Sequence, residues 1–330
     1  MRTAQTSQNR HIFVTGGTGF FGKSILDYLK RHPDFRAADE WTILSRDPEK
    51  FRLRNAALLD QGRKIRFVAG DVRDFKAKGR YDEIIHAATA AVTTLSDDEM
   101  TSTIVEGTQH VLEFAKSCGA KKLLLTSSGA VYGPQRAPVG EDAPCNPVTA
   151  YGKGKLKAER MCVESGLDVK IVRCFAFVGP YLNRDIHYAI GNFIRDCLAG
   201  EPVVIKGDGT PQRSYLYADD LVEWLFAVLD RGVSGRPYNV GSPEGLSIRD
   251  LAERVRTALD AGNAIRVLGV PNPDTLSSVY VPDVSRAARE LGLRVSVDFM
   301  SAVRRSAGLW QPAVHCHSRH RISGDRRPGI

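Results

Sequence analysis

TGGTGFFG, residues 15–22, decides the fold. Its Gly16, Gly19 and Gly22 stand in a GxxGxxG spacing between an apolar run, HIFVT, and an amphipathic one, GKSILDYLKRH. A strand that turns through glycines into a helix leaves free backbone N–H groups at the helix start, where they attract anions. Glycine also lets a pyrophosphate approach the backbone. The spacing alone is weak evidence, because glycine turns are common; the strand before it and the helix after it make it a dinucleotide-binding turn.

Outward from that turn the same rhythm continues. WTILSRD completes a βαβ unit, and KIRFVAGD and YDEIIHAA follow as strands. TIVEGTQHVLEFAKSCG reads as a helix, KKLLLTSS as a strand, YGKGKLKAERMCVESG as a helix and VKIVRCFAFVG as a strand. Short apolar strands alternating with amphipathic helices predict an α/β chain with a doubly wound parallel sheet of the Rossmann type. Beyond Gly179 the rhythm changes, with Gly and Pro punctuation at GEPVVIKGDGTPQRS and LGVPNPDTLSS. SYLYADDLVEWLFAVLD and RPYNVGS then supply helix and strand material again. The expected organisation is a dinucleotide-binding domain over 11–178 plus 215–241, with a smaller, interleaved C-terminal substrate domain over 179–214 plus 242–310. The His-, Arg-, Gly- and Pro-rich tail, 311–330, has no apolar periodicity and is expected to be disordered.

Composition limits the function classes. At 330 residues with 42% hydrophobic content, the chain has ample material for a packed core. No run of about 18 apolar residues occurs and the first ten residues are polar, so neither a membrane span nor a secretory signal is expected, and the cytoplasm is the expected compartment. The six cysteines are scattered and read as reduced thiols. Cys316, between His315 and His317, lies in the unpatterned tail, and no metal site is expected. Part of the net charge of +8 comes from that tail, where Arg319, Arg321, Arg326 and Arg327 face only Asp325. The remainder suits a protein that holds anionic dinucleotides and sugar diphosphates, and no arginine-rich helix or aromatic stacking motif points to nucleic acid.

The choice of dinucleotide turns on the end of the second strand. An acidic residue there accepts hydrogen bonds from the adenosine ribose hydroxyls of NAD. Here the strand ends in Leu44-Ser45-Arg46, a hydroxyl followed by a guanidinium, which suits the 2′-phosphate of NADP. NAD is the alternative, with Arg46 merely solvated and Asp47 serving the ribose. Asp71, in AGDVRD, is a candidate acceptor for the adenine amino group or else a turn aspartate.

Tyr151 and Lys155, in YGKGK, are four residues apart and share one face of a helix. An ordinary tyrosine, with a pKa of about 10, is a poor acid or base near neutrality, and a neighbouring ammonium favours its phenolate. Ser128, in TSSGAVYG, closes a strand upstream, where its hydroxyl can meet the tyrosine over a nicotinamide.

In order, TGGTGFFG, AGDVRD, IIHAA, TSSGAVYG, YGKGK, RCFAFVGP and GDGTPQRSYLYADDL resemble the extended short-chain dehydrogenase/reductases that act on nucleotide sugars, a family of epimerases, dehydratases and 4-ketoreductases. The resemblance covers roughly residues 11 to 310. It implies that Tyr151 exchanges a proton with the sugar oxygen, that Lys155 binds the nicotinamide ribose and tunes the tyrosine, and that Ser128 hydrogen-bonds the reacting oxygen. It implies further cofactor contacts at Thr18, Phe20, Phe21, Val72, Ala87 and Ala88, beside Gly16, Gly19, Gly22, Ser45, Arg46 and Asp71. Arg213, in TPQRSYLY, and Asn192, in AIGNFI, match residues that hold the substrate diphosphate, although a surface ion pair and a helix-face amide are their plainer readings. His187 is a further candidate to reach the sugar, though a lone histidine is more often simply structural. A homodimer is usual in the family.

Departures from the family pattern narrow the reaction. The 4,6-dehydratases it resembles carry an Asp-Glu pair directly after the catalytic hydroxyl, where this chain has Gly129 and Ala130, and the glutamate associated with decarboxylases is also absent. Ile104 replaces a common asparagine, and Tyr280, in VYVPD, stands where relatives often have a second diphosphate-binding arginine. Reduction or epimerisation at C4 is left. The Ser45-Arg46 pair favours NADPH-dependent reduction of a nucleotide-linked 4-keto-6-deoxyhexose in deoxysugar biosynthesis, with an NAD-dependent UDP-hexose 4-epimerase as the alternative. A non-catalytic NADP-binding protein would be expected to have lost Tyr151 or Lys155, and both are present.

Overall fold

A computed structural model describes residues 9–89, 95–185, 189–270 and 277–308. Six strands, His11–Thr15 (β1), Glu40–Ser45 (β2), Ile65–Ala69 (β3), Glu83–His86 (β4), Lys122–Ser128 (β5) and Val169–Cys174 (β6), join Pro237–Val240 in one seven-stranded sheet. The order across it is Pro237–Val240, β6, β5, β4, β1, β2, β3, and every pairing is parallel. The strand order reverses between β1 and β4, which opens a crevice at the carboxyl ends of the strands.

Strand periodicity builds a core on each face of this sheet. Ile12, Val14, Ile43, Leu124 and Val172 enter one apolar cluster, while their neighbours Phe13, Leu44, Leu123, Leu125 and Ile171 enter another. Helices cover both faces, which is why the strands read as continuous apolar runs instead of alternating ones. On the first face the helix Ala218–Arg231 buries Leu221, Trp224, Leu225 and Val228. On the second, Asp97–Cys118 packs along Ala150–Glu164. The doubly wound α/β expectation therefore describes this sheet.

Two boundaries differ from the sequence expectation. The helix expected from Thr103 starts at Asp97, where Ser96 and Glu99 form a reciprocal capping box, and it ends at Gly119 in the left-handed conformation. The strand expected to run to Gly179 stops at Cys174; Phe177–Val178 leaves the sheet to pair with Leu216–Tyr217.

A third cluster, including Val178, Ile190, Phe193, Ile194, Val203, Leu246, Leu251, Val255 and Val303, lies under the smaller elements. Its short strands matter for the site. Gln212–Arg213 runs between Leu246–Ser247 and Val279–Tyr280, with Tyr280 directly opposite Arg213. Among the described residues no helix is long and apolar enough to cross a membrane.

Candidate active site

The crevice is lined on one side by the glycine turn. Gly16 adopts φ +71°, and a Cβ there would stand 2.4 Å from the Ala87 carbonyl oxygen, so this position requires glycine both for conformation and for space. Gly19 donates to the Gly16 carbonyl at 3.0 Å and caps the helix Phe20–Arg31. That helix has no side-chain cap and no acidic residue in its first turn, which leaves its amides to an anion. Thr18 is half-buried in the turn, Gly22 lies in the first helical turn, and Phe20 and Phe21 pack by their rings against Phe177.

A buried polar chain fixes the segment that faces this turn. The Ala88 N–H donates to Thr15 Oγ1 at 3.1 Å, and Thr15 Oγ1 lies 2.8 Å from His86 Nδ1. His86 Nε2 is 3.1 Å from the Thr108 hydroxyl, which donates to the Ile104 carbonyl at 2.6 Å. Thr108 spends its proton on Ile104, so His86 must donate from Nε2 and accept at Nδ1 from Thr15. Burial pushes the imidazole pKa down to about 3, so it is neutral at any working pH. Ile104 is itself buried against Gly154, one residue before Lys155.

Where the sequence reading places the adenosine, Ser45 is buried at the end of β2 and accepts from the Asp47 N–H, while Arg46 is exposed. The Asp47 carboxylate accepts from the Lys50 N–H at 3.0 Å as the N-cap of the helix Pro48–Arg54. Asp71 pairs with Arg73 at 2.7 Å and accepts its N–H, as a turn aspartate does. Arg73, with a smaller contribution from Arg46, holds the Asp71 carboxyl below its ordinary range. Val72 is buried, facing Gly107 of the helix Asp97–Cys118.

The reacting side is built on β5 and the helix after it. Ser128 ends β5, and its hydroxyl accepts the Ala130 N–H at 3.1 Å in a single 3-10 turn, Gly129–Tyr132. Thr149 caps the helix Ala150–Glu164 by accepting from the Gly152 N–H at 3.1 Å. A Cβ on Gly152 would stand 2.7 Å from the Ala130 carbonyl oxygen, so the turn holding Ser128 and the helix turn holding Tyr151 abut. Lys155 is buried. Its ammonium donates to Thr89 Oγ1 at 2.6 Å and the Thr126 carbonyl at 2.7 Å, and lies 5.9 Å from the Tyr151 ring centre. Burial lowers the lysine pKa to about 8, which leaves it mostly charged at neutrality. Nearby, Glu159 accepts from Ser127 and is paired with Arg173 at 2.8 Å, so this buried carboxylate is neutralised.

The substrate candidates are distributed differently. Half-buried Arg213 donates to the Gln212 carbonyl at 2.7 Å and to Ser278 at 3.3 Å, and its guanidinium lies 5.7 Å from the Tyr280 ring centre. The Tyr280 hydroxyl is 3.3 Å from Ser128 Oγ. Asn192 is half-buried in the helix Ala189–Ala199, and His187 lies outside the described residues, as do Cys316 and the tail.

Sequence reasoning missed several residues in this arrangement. Thr89 directly follows IIHAA, and its place on Lys155 was open to notice; His86 lies within that motif. Phe175, against Gly129, and the Tyr280 contact with Ser128 depend on strands far apart in sequence and carried no local signal. Among the described residues no group of His, Cys, Asp or Glu is placed to hold a metal.

A family model for the NAD dependent epimerase/dehydratase family matches residues 12–241. UDP-glucuronic acid decarboxylase 6 of Arabidopsis thaliana is 30% identical over 299 residues, covering 86% of this chain and 84% of that protein. UDP-glucuronic acid decarboxylase 1 of Xenopus tropicalis is 30% identical over 305 residues, covering 86% and 68%. Among solved structures, the dTDP-glucose 4,6-dehydratase of Streptomyces venezuelae with NAD bound superposes with a TM-score of 0.77 at 28% identity, over 90% of this chain and 95% of that one. The UDP-glucuronic acid 4-epimerase of Bacillus cereus, solved with UDP-glucuronic acid and NAD, shares the fold with a TM-score of 0.77 at 23% identity, over 91% and 98%.

Proposed function

This chain belongs to the NAD dependent epimerase/dehydratase family, and from that premise we propose that it reduces the 4-keto group of a nucleotide-linked 6-deoxyhexose with NADPH. The observation that carries the reading is the space beyond Ser128. A Cβ on Gly129 would stand 2.8 Å from the Phe175 ring, so an aromatic wall fills the place of a side chain there, and Ala130 follows. Dehydration or decarboxylation at this site needs a carboxyl group beside the hydroxyl. Glu159, buried nearby, is tied to Ser127 and Arg173. What remains is proton exchange by Tyr151, assisted by Ser128.

The glycine turn fits a dinucleotide, since the open amides of Phe20–Arg31 suit its pyrophosphate and Gly16 leaves no side chain in the way. NADPH, when bound, supplies the hydride that the carbonyl carbon accepts. The Tyr151 hydroxyl gives its proton to the carbonyl oxygen, Ser128 hydrogen-bonds that oxygen, and the Lys155 ammonium lowers the cost of the phenolate left behind. Arg213 and Asn192 would hold the diphosphate. NADP is favoured because Asp47 is already engaged as a helix cap, while exposed Arg46 is free of that duty and lies near enough for Asp71 to feel its charge. The cytoplasm and a homodimer complete the proposal.

A second reading, NAD-dependent 4-epimerisation of a UDP-hexose, is favoured by the solved relatives, which hold NAD. Absorbance at 340 nm separates the two. Stoichiometric loss of NADPH signal with dTDP-4-keto-6-deoxyglucose, and little with NADH, is expected. Interconversion of UDP-hexoses without added reductant would establish the epimerase instead.

A further inference from the structure

Tyr280 sits at the centre of an arrangement that the catalytic set alone does not explain. Its strand, Val279–Tyr280, lies beside Gln212–Arg213, which puts the phenol ring under the Arg213 guanidinium at 5.7 Å and against Phe175 at 4.7 Å. Held on those two neighbours, the hydroxyl reaches the strand ends of β5 and β6. It comes to 3.3 Å from Ser128 Oγ, where either hydroxyl can donate, and to 3.4 Å from the Cys174 carbonyl, which can only accept its proton. Position 280 therefore faces the reacting hydroxyl.

The consequence follows from the capacity of a serine hydroxyl, which has one proton and two lone pairs. One lone pair of Ser128 takes the Ala130 N–H at 3.1 Å. If the second takes the Tyr280 hydroxyl proton, both acceptor positions are filled and the serine proton can only point outward, toward the substrate. If instead Tyr280 donates to Cys174, Ser128 is free to donate inward to Tyr280, and it then meets the sugar oxygen as an acceptor, which repels a carbonyl. The 3.3 Å separation is long for two hydroxyls, as catalytic hydrogen bonds commonly are before substrate binds.

We propose that Tyr280 is a positioning residue that donates to Ser128 and so commits the serine proton to the substrate oxygen. This rests on the reading that Ser128 serves that oxygen, but not on whether the overall reaction is reduction or epimerisation. The ring contacts with Phe175 and Arg213 survive in Tyr280→Phe, which removes only the hydroxyl.

The test uses the full chain with NADPH and a cycle of Tyr280→Phe, Ser128→Ala and the double variant. With dTDP-4-keto-6-deoxyglucose, Tyr280→Phe should lower kcat about tenfold, the worth of one hydrogen bond, and leave KM unchanged. In the Ser128→Ala background it should cost nothing further. Denaturant unfolding of the same four proteins should show the two hydroxyls coupled, by roughly fivefold in the unfolding equilibrium constant. An unchanged kcat, an equal loss with and without Ser128, or additive unfolding effects would each overturn the inference. Absence of turnover by the unaltered protein would sink the reductase reading instead, and the same kinetic cycle run on UDP-hexose interconversion would then decide the role of Tyr280.

Discussion

The two ends of the crevice are made in opposite ways. The glycine turn and its helix come from one contiguous stretch, residues 15–22, closed by one distant segment at Ala87-Ala88. The surroundings of Ser128 come from five places: the end of β5, the helix turn at Gly152, Phe175 just past β6, Arg213 and Tyr280. At the first end the proposed binding falls to the backbone, and the side chains are chosen for their absence. At the second, function depends on side-chain hydroxyls and rings whose positions are set by strands more than a hundred residues apart. An end built locally tolerates change elsewhere, whereas an end assembled from distant strands concentrates chemistry where single substitutions tell.

If that contrast is right, the largest effect comes at the assembled end without touching the other. Tyr151→Phe should lower turnover by roughly 10²- to 10⁴-fold, the usual worth of a positioned acid or base, while the dissociation constant for NADP, measured by calorimetry, stays the same. A parallel loss of cofactor affinity would show the two ends to be one unit.

Lys155 bridges the ends, and its pH behaviour sharpens the comparison. Its pKa falls from the ordinary 10.5 to about 8 on burial. Below pH 8 folded and unfolded chains are both protonated and the cost of burying the charge is constant, about 3 kcal/mol by the difference in pKa. Between pH 8 and 10.5 only the unfolded chain holds the proton, so this residue's contribution to stability rises with pH. In the folded chain its ammonium, and the turnover expected to depend on it, is lost as pH rises through about 8. The rate should decline as pH rises through about 8, and Lys155→Met should raise the melting temperature at pH 7 while abolishing most turnover. A variant that melts lower at pH 7 would mean that the contacts to Thr89 and Thr126 outweigh the buried charge.

The smallest effect belongs to the dinucleotide side, at the end of β2. Arg46→Ala should weaken NADPH binding by ~10- to 100-fold, the range for a charge-assisted contact to a 2′-phosphate, and leave NADH binding and Tyr151-dependent proton exchange untouched. Equal weakening for both dinucleotides would remove the basis for preferring NADP.

Much of this was legible in the chain. The alternation of Ile12 and Val14 against Phe13, or of Leu124 against Leu123 and Leu125, carries both faces of the sheet, because a parallel strand covered by helices must be apolar on each side. The Tyr151-Lys155 pair was readable because four residues make one helical turn. The start of the helix at Asp97 was open to reading from the Ser96–Glu99 capping box, and that signal was passed over for the apolar periodicity that begins later.

What the sequence by itself determined is the set of local geometries: strand, glycine turn, helix and the residues spaced along them. Those follow from backbone sterics and periodicity within a few residues. Tertiary structure alone decided that Phe175 would occupy the space beside Gly129, that buried His86 would be neutral and donate from Nε2, and that Tyr280 would turn its hydroxyl to Ser128. Desolvation and contact between distant strands exist only after the sheet has closed, and no spacing along the chain encodes them.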